Sequence, residues 1–296
     1  EDNHTKQQVV LQIPGSGIRK MPIKILLDAI KKTKYLYKKQ LHMAEQKFVV
    51  PTEIVELPSR GLVYSKENPL SSGQIEMKYM TARHEDLLTN VNNLKSGTAI
   101  EKTLKALISS DINYDDLILG DRNGLLISAR ILAYGKDYQF KYPHPETGEE
   151  EVINADLQTM EYKKIDESLF TGKNEFEFTL PFSKNKITFK LLTVGDDKRI
   201  DEEAKGLKKA LGTEPGAISL RMKHQITSIN GDYNAKTIRE FVDTALMAKD
   251  SVDLRKYINS ITPDISTKIT IKFKDGQEAE VDLPMTAQFF FPGTEL

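Results

Sequence analysis

The chain contains no cysteine. Disulfides, thiolate metal sites and cysteine nucleophiles are therefore excluded, and the absence accords with a reducing cytoplasm or an intracellular assembly. Histidine is scarce. His4, His42, His84, His144 and His224 are scattered, with no HxxxH or HExxH spacing, so a zinc site would have to be assembled from distant segments. Charge of one sign is lacking too: 42 basic against 43 acidic side chains leave a net of −1. No global field draws the chain onto nucleic acid or anionic membrane. No apolar run approaches the roughly 20 residues of a membrane span, and no signal peptide is visible. Nucleotide-binding runs of the GxxxxGK[ST] or GxGxxG kind are missing.

What is present suffices for one large domain or two of ordinary size: 296 residues, 39% hydrophobic. The patterning predicts an α+β protein, with an N-terminal helical arm followed by two related helix plus β-hairpin units. We divide it as residues 1–50, 51–170 and 171–296. Residues 1–20 are polar and include Pro14-Gly15-Ser16-Gly17, which reads as an extended arm or disordered lead. Pro22 suits a first helical turn. Ile23, Leu27, Ile30, Tyr37, Leu41, Ala44 and Phe48 follow at helical spacing, opposite Lys31, Lys32, Lys38, Lys39 and Lys47. This predicts an amphipathic helix of about seven turns, ended by Pro51. Its plain reading is a partner-packing helix with a solvated lysine face. The sharper one is a surface for nucleic acid, acidic protein or anionic lipid, which lysines attract without reading sequence.

Leu57 to Gly73 is punctuated by proline and glycine and reads as irregular. Ile75, Met77 and Tyr79 alternate with charged residues as a half-buried strand does. Thr81 is placed to cap a helix holding Leu87 and Leu88. A helix from about Thr98 carries Ile100, Leu104, Leu107 and Ile108, and Asp121 or Asn123 begins a third, stopped at Gly135 by a left-handed glycine. The period then changes to 2, predicting a hairpin of Tyr138 to Tyr142 with Glu151 to Leu157. The second half repeats the theme. A hairpin surrounds Ser183-Lys184-Asn185, Asp196 to Leu211 is a charged helix, and Ala217 to Ile229 alternates. Asn234 caps Ile238 to Met247, and Ser251 or Asp253 opens a helix through Ile258. A last hairpin turns at Asp275-Gly276. Helix-then-hairpin thus occurs twice, which suggests an internal duplication.

Catalytic chemistry has little to stand on. The pairs Asp115-Asp116, Asp196-Asp197, Glu202-Glu203 and the run Glu149-Glu150-Glu151 read as solvated surface carboxylates. Gly120-Asp121-Arg122-Asn123-Gly124 could receive an anion at a helix start. The stronger reading has Asp121 capping the helix and Arg122 making a tertiary salt bridge or an interface contact. Ser59 lacks the preceding glycine of a nucleophile elbow. No catalytic residue, metal ligand or cofactor site is assigned. Phe289, Phe290 and Phe291 form an aromatic run that fills the chain's own core or anchors in a partner.

The ordered motifs Leu57-Pro58-Ser59-Arg60-Gly61, Tyr79 to Glu85 and Gly120 to Asn123 resemble the baseplate hub proteins of T4-like contractile-tailed phages. Looser matches follow at Gln225 to Gly231, Asp250 to Ile258 and the ending Phe289 to Pro292. The resemblance implies a structural subunit of the tail baseplate, not an enzyme. It implies partners among other baseplate or tail proteins and itself as a homo-oligomer, and a place in the virion tail after assembly in the host cytoplasm. No small-molecule substrate or membrane is implied, and nucleic acid is not expected. The interface residues we single out are Ile23, Leu27, Ile30, Tyr37, Leu41, Phe48, Arg60, Arg122, Phe289, Phe290 and Phe291. Hairpin tips such as Tyr142 to Gly148 can carry Cys-x-x-Cys zinc knuckles in the family, and here the cysteines are missing. The alternatives are a transient assembly chaperone, a DNA-associated virion protein using the lysine-rich arm, and a metal-dependent hydrolase using Asp or Glu.

Overall fold

The structure, a computed structural model, describes residues 8–13, 17–22, 27–28, 31–34, 49–283 and 287–290. The chain divides into two compact units, Glu1–Val50 and Pro51–Leu296.

In the first unit, β1 (Gln8–Ile13) and β2 (Gly17–Pro22) pair antiparallel, from Gln8 opposite Pro22 to Ile13 opposite Gly17. The lead is therefore a hairpin rather than a disordered arm, and Pro22 ends a strand instead of starting a helix. Val9, Val10 and Ile13 in β1 and Ile18 in β2 are β-branched residues that favour such pairing. Residues 27–28 and 31–34 are helical, and Leu27 is exposed. Most of the seven-turn amphipathic helix lies outside the described residues.

The second unit opens with β3 (Thr52–Glu56) paired antiparallel to β4 (Gln74–Lys78). The sequence reading missed β3, whose single buried side chain, Val55, gives little alternation to see. Three helices follow: α1 (Ala82–Thr89), α2 (Val91–Lys95) and α3 (Ala99–Leu107). His84 Nδ1 accepts the Thr81 N–H at 3.1 Å at the start of α1, and Asn90 caps α2. After α3 the chain touches β4 once more, through an Ile108 bridge to Met77. The long helix α4 (Leu119–Tyr134) leads to the hairpin of β5 (Asp137–Pro143) and β6 (Glu150–Asp156). Gly135 ends α4 at φ +81°, ψ 178°, so it leaves the left-handed helical well expected of it for an extended region open to glycine.

The order then recurs. β7 (Phe176–Thr179) and β8 (Lys186–Phe189) pair, and α5 (Val194–Leu211) starts at a Thr193–Asp196 capping box. Residues 217–229, which alternate in sequence, divide into α6 (Ala217–Gln225) and β9 (Ile226–Ile229), and β9 joins the sheet in the order β7-β8-β9. α7 (Ala235–Thr244), capped by Asn234, and α8 (Ala248–Ile261) precede the hairpin of β10 (Lys268–Lys272) and β11 (Glu278–Asp282). A short α9 (Ala287–Phe290) follows. Mixed helices and small antiparallel sheets make this an α+β fold.

The main core runs across both halves, from Leu57, Leu70 and Met77 to Phe189, Leu191 and Leu254. A second core lies between the two helix-linked hairpins. There Tyr138, Phe140 and Ile153 of one meet Ile269, Ile271 and Phe273 of the other. Phe289 and Phe290 complete it, 0% and 3% exposed. Each such side chain contributes about 1.5–3 kcal/mol by leaving water.

Candidate interaction surfaces

The motifs that carry the sequence resemblance meet in space. β3 ends at Glu56, and the loop that follows is closed by Leu57 N–H to Gly73 O at 2.8 Å. Within it Ser59 is fully buried. Its backbone N–H donates to Asp121 Oδ1 at 2.8 Å and its Oγ to Oδ2 at 2.7 Å. Tyr64 OH donates to the same Oδ2 at 2.6 Å and accepts the Ile118 N–H at 3.0 Å. Asp121 is thus no N-cap. Ile118 holds that position, and Asp121 is the third helical residue, turned back onto a loop 62 positions away. Burial pushes its carboxyl up to about 6, against Tyr64 and Ser59, with Asp264 adding to the rise. Tyr64 is likewise raised by burial and by Asp121.

The whole run Gly120 to Gly124 is accounted for by such contacts. A Cβ at Gly120 would lie 1.8 Å from Pro263 O, and one at Gly124 2.6 Å from Pro58 Cγ. Arg122 reaches Asp197 at 3.8 Å, and Asn123 Nδ2 donates to Asp264 Oδ1 at 3.2 Å. The Arg122 Nε is buried with no hydrogen-bond partner. Ser59 and Asp121 have no exposed surface, so this cluster lies inside the fold and ties the loop to α4.

A second clamp repeats the first. Between β7 and β8 the chain reads Leu180-Pro181-Phe182-Ser183-Lys184-Asn185. The Phe182 and Ser183 N–H groups donate to Asp250 Oδ1 and Oδ2 at 2.8 and 2.9 Å. Asp250, fully buried, is the third residue of α8, as Asp121 is of α4. Burial works against its ionised form, but Ser183 and the Phe182 N–H hold its carboxyl below the ordinary value. Helix α8 starts at Ala248, earlier than the Ser251 or Asp253 expected, with Met247 at the N-cap position and no side-chain cap. Both loops carry a basic residue at positive φ, Arg60 at 50° and Lys184 at 62°.

The paired carboxylates are mostly bonded rather than solvated. Asp196 is 1% exposed, and burial would raise its carboxyl, but Lys190 and Arg199, each at 2.6 Å, hold it low. Glu203 receives both arms of Arg239 at 2.6 and 2.9 Å. That fork, opposed by burial and helped by His224, brings its carboxyl to about 2. Lys198 bridges Glu101 and Asp115 at 2.6 Å each. The two hairpin tips are tied together by His144 Nε2 and Asp275 Oδ2 at 3.2 Å and by Gln277 Nε2 to Glu146 Oε1 at 2.9 Å. His144 also stacks edge-on to Phe273. Among the described residues no group of three His, Asp or Glu side chains is placed to hold a metal ion.

Of the residues singled out in the sequence, Arg60 lies at the surface in a 2.8 Å pair with Glu167. Leu27 is exposed. Phe289 and Phe290 fill the chain's own core, the other of the two roles the sequence left open for them. Phe289 O accepts from buried Arg130 Nε at 2.7 Å. Ile23, Ile30, Tyr37, Leu41, Phe48 and Phe291 lie outside the described residues. The sequence reading missed an exposed apolar group in the second half: Phe182 (60% exposed), Ile218 (52%) and Met247 (51%). Isolated apolar residues in loops and at helix starts carry no periodic signal. No helix among the described residues is long and apolar enough to cross a membrane.

A family model described as "T4 bacteriophage base plate protein" matches residues 62–291, well over half of the chain. Neither the curated proteins nor the solved structures yield a match.

Proposed function

The chain belongs to the T4 bacteriophage base plate protein family, and from that premise we propose that it is a structural subunit of a contractile tail baseplate, in the hub region. It acts through protein–protein interfaces in virion assembly and not through chemistry. The observation that carries this reading is the use made of the polar motifs. Ser59, Tyr64, Asp121 and Asp250 are all buried and spent on one another or on backbone. What faces outward includes apolar side chains such as Phe182, Ile218 and Met247 and charged groups, among them the Arg60–Glu167 pair.

Its partners are other baseplate or tail proteins and further copies of itself, met in the host cytoplasm and retained in the virion tail. Arg60 and the first unit supply docking surface, while the two clamped halves act as a rigid spacer. The test is to block production of this chain during infection. Tails are expected to stop before a complete baseplate forms and to be restored by supplying the chain. A protein lacking residues 1–50 should keep the fold of the remainder but dock poorly. Normal infectious particles made without the chain would overturn the proposal.

A further inference from the structure

The two halves of the second unit correspond element by element. In each, a strand leads through a Leu-Pro loop into its antiparallel neighbour, and a helix begins at a threonine, Thr81 or Thr193. A later segment returns to the second strand, as the Ile108 bridge in one half and as β9 in the other. A helix whose third residue is the clamping aspartate then leads into a hairpin. In this correspondence Leu117-Ile118-Leu119 matches Leu246-Met247-Ala248, and Met80-Thr81-Ala82 matches Leu192-Thr193-Val194.

The first half and the second half touch through these segments. Ile118 bridges Thr193 antiparallel. Leu119 N–H donates to Leu192 O at 3.1 Å, and Val194 N–H donates to Leu117 O at 2.8 Å. Each donor is the first residue of its helix, a position that has no partner within the helix itself. The contact is dry: Leu117, Ile118, Leu192 and Val194 are all buried. Asp197, four residues past Thr193, faces Arg122.

Among the described residues the matching segments, Met80 to Ala82 and Leu246 to Ala248, make no such bridge. Met247 is 51% exposed and Ala248 exposed, and on the other half Ala82 is exposed. Beside Met247 runs a groove lined by Ile218, Val242, Leu246, Val252 and Arg255. Phe182, whose backbone N–H is held by Asp250 of α8, is also exposed. Arg255 is exposed and makes no ion pair among the described residues. Glu85 stands four residues past Thr81 as Asp197 stands past Thr193, with its Oε1 accepting from Tyr134 OH at 2.7 Å, and Asp86 beside it is exposed.

We propose that this face is a head-to-tail docking site for a second copy of the chain. The Met80-Thr81-Ala82 segment of one copy pairs with Leu246-Met247-Ala248 of the next, reproducing between chains the contact that joins the two halves within one. Ala248 N–H bonds the incoming Met80 carbonyl, and the incoming Ala82 N–H bonds Leu246 O. The acidic start of α1 lies toward Arg255. The two surfaces differ, so the contact is heterologous and extends a run of halves from one chain into the next. The inference rests on the correspondence of the halves and not on the baseplate reading.

The chain's lack of cysteine makes the test direct. Thr81 and Met247 occupy the positions of Thr193 and Ile118, facing partners in a bridge whose bonds lie on either side. Side chains approach closely at such a pair, within disulfide reach. The full chain carrying Thr81→Cys and Met247→Cys is expected, under mild oxidation, to give a ladder of covalent multimers that neither single variant gives. Mixing the two single variants should give one cross-linked dimer. In sedimentation, the mass of the unmodified chain should rise with concentration, and Met247→Asp, at an exposed site, should hold it at the monomer. A chain that stays monomeric at every concentration, or single Met247→Cys protein that cross-links as readily as the pair, overturns the proposal. Self-association untouched by Met247→Asp also overturns it, whatever role the protein has in the tail.

Discussion

Asp121 and Asp250 stand at the same helical position, third in their helices, and each turns its carboxylate back onto a loop that begins Leu-Pro, Asp121 accepting the Ser59 N–H and two hydroxyls and Asp250 two backbone N–H groups. The fold is fastened twice by one device. The two fastenings differ electrically: burial wins at Asp121 and raises it, while hydrogen bonding wins at Asp250 and lowers it.

Removing either carboxylate should loosen its half of the fold. Asp121→Ala strands the Ser59 N–H, Ser59 Oγ and Tyr64 OH, and Asp250→Ala strands two backbone N–H groups. Each is expected to cost about 2–4 kcal/mol in urea unfolding, because buried donors lose their acceptor. Ser59→Ala, which leaves the backbone bond in place, should cost about 1 kcal/mol. Equal stability of Asp121→Ala and the unmodified chain would remove the clamp from the account.

Two glycines should respond oppositely to alanine. At Gly120 the added Cβ would lie 1.8 Å from Pro263 O, so Gly120→Ala must displace backbone and should unfold the chain at far lower denaturant. Gly206, within α5, has nothing within 4 Å of a Cβ. Gly206→Ala should stabilise by roughly 0.5–1 kcal/mol through the unfolded chain's lost freedom. Thermal melts of the two variants check both signs.

The pH dependence divides by group. Asp121 is raised in the fold, so its proton is bound there before it is bound in the unfolded chain. Its contribution is complete below the ordinary carboxyl value and is lost as pH rises through about 6. Relative to Asp121→Asn, whose offset is set aside, the unmodified chain should gain about 2–3 kcal/mol between pH 7 and pH 4. Glu203 runs the other way. Its carboxyl is depressed to about 2, so its stabilisation is present above the ordinary value and is lost as pH falls through about 2. Arg239 is 44% exposed, so screening reduces this effect to about 1 kcal/mol. The stability difference between the unmodified chain and each variant, measured against pH, should slope in opposite senses for Asp121→Asn and Glu203→Gln.

The aromatic ending belongs to the second core. Phe289→Ala should cost about 3–5 kcal/mol, since the ring is fully buried and packs edge-on to Tyr138 at 5.0 Å between centroids. Ending the chain after Leu283 should cost at least as much, because it also strips Arg130 of the Phe289 carbonyl. Unchanged melting after truncation would mean that the tail is free to serve partners instead.

Much of the fold was legible because local rules and tertiary packing agree. Thr98, Asn234 and the stripe Leu104, Leu107 mark their helices, and the alternation of Tyr138 and Phe140 marks its hairpin. What escaped depended on distant partners. Asp121 reads as a cap because caps are local, and its true partner lies 62 residues away. Asp250 gives no sign in sequence, since its partners are backbone N–H groups. Strand β9 was hidden because Ile226 to Ile229 follows α6 without a break, and its pairing with β8 decides its state. The helix-then-hairpin repeat was visible only in its last third. The Leu-Pro loops differ too much in length to align by eye, and the aspartates that unite them are brought to the loops only by tertiary folding.

The central claim, that this chain is a built-in part of the tail, is tested most directly by quantitative mass spectrometry. Purified mature particles and isolated tails from the same infection should be compared. The account predicts the chain in both, in a simple ratio to the other tail subunits. Absence from both, with abundance in the infected-cell lysate, would contradict it and make the protein an assembly factor that leaves before the particle matures.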